Sequence, residues 1–74
     1  MSKRFVFDSS RLRQKIILKY GSIRAFASAM GLSDRAVSNR LCNKSQWRDS
    51  EIKKAVDLLQ IVPADINTYF FTVL

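Results

Sequence analysis

The chain has 74 residues, of which 47% are hydrophobic, and its formal net charge at pH 7 is +7. This length suits one small domain with its own core. Because the sequence contains no histidine and only one cysteine, Cys42, it argues against a zinc site, excludes an internal disulfide and fits a reducing cytoplasm. We expect no enzyme, cofactor or small-molecule substrate. No run of ~18 apolar residues is present, so we also expect no membrane span.

The positive charge is concentrated in the first part of the chain. Residues 1–44 contain ten basic and two acidic residues, whereas residues 45–74 contain three basic and four acidic ones. A basic surface of this kind favours a polyanionic partner such as nucleic acid.

The N-terminus reads as a short arm over residues 1–7, in which Phe5, Val6 and Phe7 favour an extended backbone. Lys3 and Arg4 in this arm are expected to be solvated, with contact to phosphate as the alternative.

The first helix is predicted to follow Asp8, which would serve as its N-cap. Phe7 and Leu12 then have the spacing of a hydrophobic staple. Gly21 ends the helix. The apolar stripe that faces the core is expected to contain Leu12, Ile16, Ile17 and Tyr20.

Residues 22–41 predict two short helices joined by a tight turn, a helix-turn-helix. Ser22 and Ser33 are good N-caps, and Gly31 adopts the left-handed conformation of the turn at little cost. The inward faces contain Phe26, Ala27, Met30, Val37 and Leu41. The outward face of the second helix is a polar row of the kind that reads base edges: Asp34, Arg35, Ser38, Asn39 and Arg40.

A polar connection then leads to two further helices. Asn43 suits a left-handed C-cap, and Trp47 is expected to pack on the core between helices 3 and 4. Helix 4 is predicted from about residue 49 to residue 60, with an inward face of Ile52, Ala55, Val56 and Leu59. Pro63 opens a short fifth helix whose inward residues are Ile66, Tyr69 and Phe70. The apolar tail over residues 70–74 is either a strap across the core or an association surface.

The central motif resembles the λ repressor/Cro-type helix-turn-helix family, with Ala27 and Gly31 four residues apart and Ser33 capping the next helix. The whole chain is similar to small Cro-like and antirepressor proteins of Gram-positive temperate phages, of the modulator-of-repression type. The segments that carry this similarity are Phe7-Asp8 with Leu12 and Ile16, Ala25-Phe26-Ala27, Gly31-Leu32-Ser33, Leu41 to Lys44, Glu51-Ile52, and Asp65-Ile66 with Tyr69-Phe70-Phe71.

The resemblance implies an all-α bundle of about five short helices, forming a single domain over residues 1–74. It further implies a role in a lysis–lysogeny switch in the cytoplasm of a bacterial host. Such a family places its third helix in the major groove of DNA. The resemblance therefore assigns base reading to Asp34, Arg35, Ser38 and Asn39, and phosphate contact to Ser22, Arg24, Arg40 and Lys44.

The leading hypothesis is a transcriptional regulator that binds double-stranded operator DNA through helix 3, as a homodimer or with a partner. Arg35 can pair bidentately with guanine and Asn39 with adenine, each such pair giving about 1–3 kcal/mol of discrimination. Phosphate contacts would position the protein on the duplex without specifying sequence.

Two residues depart from the family pattern and favour an alternative. Ile23 stands where many members have glutamine, and Asp34 places a negative charge at the start of the reading helix, where it repels phosphate. The alternative is an antirepressor that binds the cognate phage repressor and masks its DNA-binding face. The residues predicted to contact that repressor are Ile23, Asp34, Asp49 and Glu51.

Overall fold

A computed structural model describes residues 6–74, which form five α-helices and one 3-10 turn. The predicted all-α class is confirmed. Among these residues, no helix is long and apolar enough to cross a membrane. The expectations for Lys3, Arg4 and most of the arm over residues 1–7 lie outside the described residues. The elements are α1 (Ser10–Tyr20), α2 (Ile23–Met30), α3 (Asp34–Leu41), α4 (Asp49–Leu59), the 3-10 turn (Pro63–Asp65) and α5 (Ile66–Phe70).

Helices α2 and α3 begin and end where the sequence predicts, because their caps are local. The Ser22 hydroxyl accepts a hydrogen bond from the Ala25 N–H at 3.1 Å. The Ser33 hydroxyl accepts one from the Ala36 N–H at 3.0 Å. Between them, Gly31 has φ of 75°, a left-handed conformation that glycine adopts readily.

One hydrophobic core holds the helices together. Its largest fully buried side chain is Phe26, whose ring meets Tyr20 edge-on with centroids 5.5 Å apart. Trp47 is half-buried and packs on the core as predicted, but the ring that it meets, at 5.6 Å, is Phe70 of α5. The buried core residues are Leu12, Ile16, Phe26, Ala27, Met30, Val37, Leu41, Ala55, Leu59, Ile61 and Phe70.

The start of α1 differs from the prediction. The N-cap is Ser9 rather than Asp8, so Phe7 and Leu12 lose the spacing of a hydrophobic staple. The Asp8 carboxylate still accepts the Ser10 N–H at 2.9 Å, and this hydrogen bond holds the pKa of Asp8 below its ordinary value. Ile17 was expected in the core, but it is 43% exposed because it lies on the flank of the helix.

Helix α4 ends one residue earlier than predicted. Gln60 has φ of 56° and forms a left-handed C-cap, after which the buried Ile61 donates its N–H to the Val56 carbonyl at 3.0 Å. Pro63 then opens the 3-10 turn that leads directly into α5.

The two ends of the described chain lie side by side. Phe7 and Val73 form an isolated antiparallel bridge, and the Asp8 N–H donates to the Thr72 carbonyl at 2.7 Å. The Asn43 side chain contacts the same segment: its carbonyl oxygen accepts the Phe7 N–H and its amide donates to the Phe7 carbonyl, both at 2.9 Å. The tail is therefore paired with the arm, while the Leu74 side chain stays 78% exposed.

Candidate functional site

The residues predicted to read bases on the third helix do not all face the same way. Val37 and Leu41 are buried, so the helical period places Arg35 and Asn39 on the side opposite the core and Ser38 on the flank, while Asp34 stands at the start of the helix. Asp34 and Arg35 are exposed, whereas Ser38 and Asn39 are half-buried. These four residues are the polar row of α3, and its assignment to base reading stays a prediction.

The residues predicted to contact phosphate fall into two groups. Arg24 on α2 and Lys44 after α3 are exposed, so their charges face solvent. The Ser22 hydroxyl is already engaged as the N-cap of α2, although the residue is exposed. Arg40 differs from all three, because its guanidinium is held inside the fold.

Arg40 forms a bidentate ion pair with Glu51 that joins α3 to α4. Its Nε lies 2.8 Å from one carboxylate oxygen and its second nitrogen, Nη2, 3.0 Å from the other. Nη1 donates to the Ala36 carbonyl at 2.9 Å. Both side chains are only 13% exposed. Two parallel charge-assisted hydrogen bonds give such a pair a fixed geometry, so Arg40 joins α3 to α4, and its predicted phosphate contact stays a prediction.

Glu51 also caps α4, because the same carboxylate accepts the Arg48 N–H at 2.9 Å. Burial raises the pKa of Glu51, but the hydrogen bonds from Arg40 and Arg48 outweigh this and hold the pKa below its ordinary value. A glutamate three residues after the N-cap is the sequence pattern of a capping box, and this signal was available in the sequence. Glu51 is thus engaged within the fold, and its predicted contact with the repressor stays a prediction.

The other predicted repressor contacts come from three different helices. Ile23 on α2 is half-buried and packs against the core. Asp34 at the start of α3 and Asp49 at the start of α4 are exposed. Asp49 lies beside an apolar cavity.

That cavity is an open groove of about 350 Å³ between α4 and the α5–tail segment, which we call the C-terminal groove. The sequence did not predict it, because helical periodicity assigned Ile52 and Val56 wholly to the core, whereas both are half-buried. The groove is lined by Asp49, Ile52, Lys53, Val56, Asp57, Ile66 and Phe71.

A second apolar surface lies on the outer side of α1. Leu18 is 85% exposed, and beside it Ile17 is partly exposed. Arg13 and Gln14 complete this surface. Large exposed apolar side chains are typical of protein-interaction sites.

Comparison with known proteins gives the chain a family and a structural relative. A family model described as "Protein of unknown function (DUF739)" matches residues 5–73. Among solved structures, the solution structure of the modulator of repression (MOR) of the temperate bacteriophage TP901-1 from Lactococcus lactis is similar, with a TM-score of 0.77. The two proteins share 51% sequence identity, and the match covers 88% of each chain. No curated protein sequence matches significantly.

Proposed function

The chain belongs to the DUF739 family, and from this premise we propose that it modulates repression in a lysis–lysogeny switch by binding the phage repressor. The observation that carries the proposal is the 51% identity, over 88% of both chains, to a protein named as a modulator of repression. Binding would mask the DNA-binding face of the repressor. The protein would act in the cytoplasm of the bacterial host, as one domain and without enzymatic activity or a cofactor.

The charges around α3 support a protein partner over DNA. Arg40 is neutralised by Glu51, and Asp34 leaves an exposed negative charge at the first position of the helix. Ile23 offers an apolar side chain at the start of α2. The paired arginine and the exposed carboxylate weaken attraction to a phosphate backbone, which dominates the affinity of DNA-binding proteins, and Ile23 offers that backbone no polar contact.

The exposed apolar side chains support the same conclusion. Phe71 beside α5 is 43% exposed, and it lines the C-terminal groove together with Ile52 and Val56. Apolar patches of this kind gain free energy when a protein partner covers them, whereas a DNA backbone offers polar and charged atoms.

Operator binding is the second candidate, and the exposed cations favour it. Arg24, Arg35 and Lys44 are all exposed, and they belong to the strongly basic part of the chain. In this candidate, the polar row on α3 enters the major groove and the protein acts as a homodimer or with a partner.

A gel-shift experiment on the phage switch region separates the two candidates. Repressor binding predicts that excess protein abolishes the band of the repressor–DNA complex without producing a slower band. Operator binding predicts a shifted band from this protein alone, which Arg35→Ala removes. A repressor band that keeps its intensity at saturating excess of this protein would contradict masking.

A further inference from the structure

We infer that the C-terminal groove is the surface that binds the repressor, and that its occupant is a basic amphipathic segment of the repressor's DNA-binding face. This inference rests on the proposed function and adds a location and a partner chemistry to it. It differs from the sequence-based hypothesis, which placed most of the contact at the start of α2 and α3.

The charge of the repressor's DNA-binding face follows from its need to bind the phosphates of an operator. A surface that binds DNA carries lysine and arginine to neutralise phosphates. A protein that covers this surface needs negative charge at the rim and apolar contact at the centre. Most of this chain has a net positive charge, which would repel such a partner, because residues 1–44 carry ten basic and two acidic residues.

Two of the six acidic residues lie together beside an apolar cavity. Asp34 and Asp65 are exposed but do not line that cavity. Asp8 and Glu51 accept hydrogen bonds from their own helix N-termini. Asp49 and Asp57 both line the C-terminal groove and are exposed. Eight residues of α-helix separate them by about 12 Å along the axis of α4. Two turns of a partner helix span about 11 Å, so cations two turns apart can reach both carboxylates.

The floor of the groove supplies the apolar contact. Ile52, Val56 and Ile66 are half-buried, and Phe71 is 43% exposed. A cavity of ~150 Å³ is enough to bind benzene, so the groove's volume of about 350 Å³ admits more than one apolar side chain. Lys53 also reaches the rim, where its long side chain can extend into solvent.

The apolar surface on α1 has the opposite charge character. Leu18 lies one turn from Gln14 and Lys15, and Arg13 lines the same surface; all of them are part of the basic segment. A basic partner would be repelled there, since like charges across an interface cost free energy. The groove therefore fits the repressor better than α1 does.

The test compares two charge reversals of equal size on different surfaces. Purified cognate repressor is titrated calorimetrically with the wild-type chain, Asp57→Lys and Asp34→Lys. Asp57→Lys is expected to weaken binding by roughly tenfold or more, because it turns an attraction into a repulsion. Asp34→Lys reverses a charge at the rival location, the start of α3, to which the sequence-based hypothesis assigned the contact. Binding in the groove predicts that this variant keeps its affinity within about threefold.

Thermal unfolding of each variant serves as the control that the variant is folded. Asp57 is exposed in the last turns of α4, where a lysine is favoured by the helix dipole, so Asp57→Lys should retain the fold. Phe71→Ala provides a second variant that removes apolar contact from the groove without changing charge, and it should also weaken binding.

The outcomes separate the inference from the proposed function. If the wild-type chain binds the repressor and Asp57→Lys binds equally well, or both charge reversals weaken binding equally, the groove is excluded while repressor binding stands. If the wild-type chain does not bind the repressor, both the groove and the proposed function fail.

Discussion

The α2–α3 unit closes its hydrogen bonds within a few residues, whereas the segment from α4 to the tail depends on residues far away in the chain. Ser22 and Ser33 each cap the helix that begins at the next residue, and each hydroxyl accepts a hydrogen bond from the backbone N–H three residues ahead. In contrast, α4 is joined to α3 through Arg40 and Glu51, and the tail is joined to the arm through the Phe7–Val73 bridge.

This difference suggests that the two regions have different roles: the α2–α3 unit stabilises the fold, and the C-terminal segment offers the surface for a partner. The α2–α3 unit contributes five side chains to the buried core, namely Phe26, Ala27, Met30, Val37 and Leu41. The C-terminal segment also reaches the core, but it leaves several apolar side chains half-buried along the groove. Substitutions in the first region should therefore lower stability, and substitutions in the groove should mainly lower affinity.

The largest expected effect comes from removing the central aromatic ring of the core. Phe26 is fully buried, so Phe26→Ala should lower the free energy of unfolding by about 3–5 kcal/mol through lost burial and a residual cavity. Urea unfolding followed by circular dichroism measures the change. The matched control is Phe71→Ala, which should cost only about 1 kcal/mol or less since that ring is partly exposed. Equal losses in the two variants would contradict the comparison.

Breaking the ion pair between α3 and α4 should give the next largest decrease in the free energy of unfolding. Glu51→Gln removes a charge-assisted bidentate contact and is expected to cost about 2 kcal/mol. The Arg40 charge is left half-buried without its partner. Asp57→Asn serves as the control, because it removes one charge from an exposed position of the same helix. A Glu51→Gln variant as stable as this control would show that the pair contributes nothing.

The same pair should make stability depend on pH in a defined direction. The pKa of Glu51 in the folded chain lies below its ordinary value of 4.5. The contribution is therefore complete above pH 4.5 and is lost as the pH falls through the lower, folded-state pKa. Melting temperatures of the wild type and Glu51→Gln, measured from pH 7 downward, should converge in the acid range. A constant difference would exclude this linkage.

Removing the N-cap of α3 should cause a smaller loss of stability. Ser33→Ala removes the hydrogen bond to the Ala36 N–H and should cost about 1 kcal/mol. Ser28→Ala is the matched control, because Ser28 is exposed inside α2, where alanine is the better helix former. If Ser33→Ala and Ser28→Ala have the same free energy of unfolding, the stability of the α2–α3 unit does not depend on this cap.

The smallest effect on stability is expected at the most exposed large apolar residue. Leu18→Ser should change the free energy of unfolding by less than about 0.5 kcal/mol, because 85% of the side chain is exposed. Leu12→Ala in the same helix, where the side chain is buried, should cost about 2–5 kcal/mol. Chemical unfolding of the two variants makes this comparison. A large loss for Leu18→Ser would mean that α1 is covered in solution.

Sequence reasoning succeeded where the determining contacts are local. Ser22, Gly31 and Ser33 fix the limits of α2 and α3 through bonds within one turn, so the sequence predicts them correctly. Helical periodicity also identified the most buried positions of α4, Ala55 and Leu59. Pro63 marked the start of the last helical segment for the same local reason.

Sequence reasoning failed where the partner residue is distant. No periodicity indicates that Arg40 meets Glu51 or that Asn43 binds the backbone of Phe7, 36 residues away. Ile17 shows a related limit, because an apolar residue on the flank of a helix can face either the core or the solvent. The C-terminal groove depends on how α5 and the tail are placed against α4, which the pattern of single helices does not contain.

The pairing of Val6 with Leu74 has a consequence for the order in which the helices follow one another along the chain. Since the Leu74 N–H donates to the Val6 carbonyl at 2.9 Å, a variant with a short linker from Leu74 to Val6 in place of residues 1–5 would close residues 6–74 into a ring without moving a helix. The ring can then be reopened at the exposed Gln46, in the connection between α3 and α4. Such a circular permutant would begin with α4 and end with α3, and its five helices could occupy the same places.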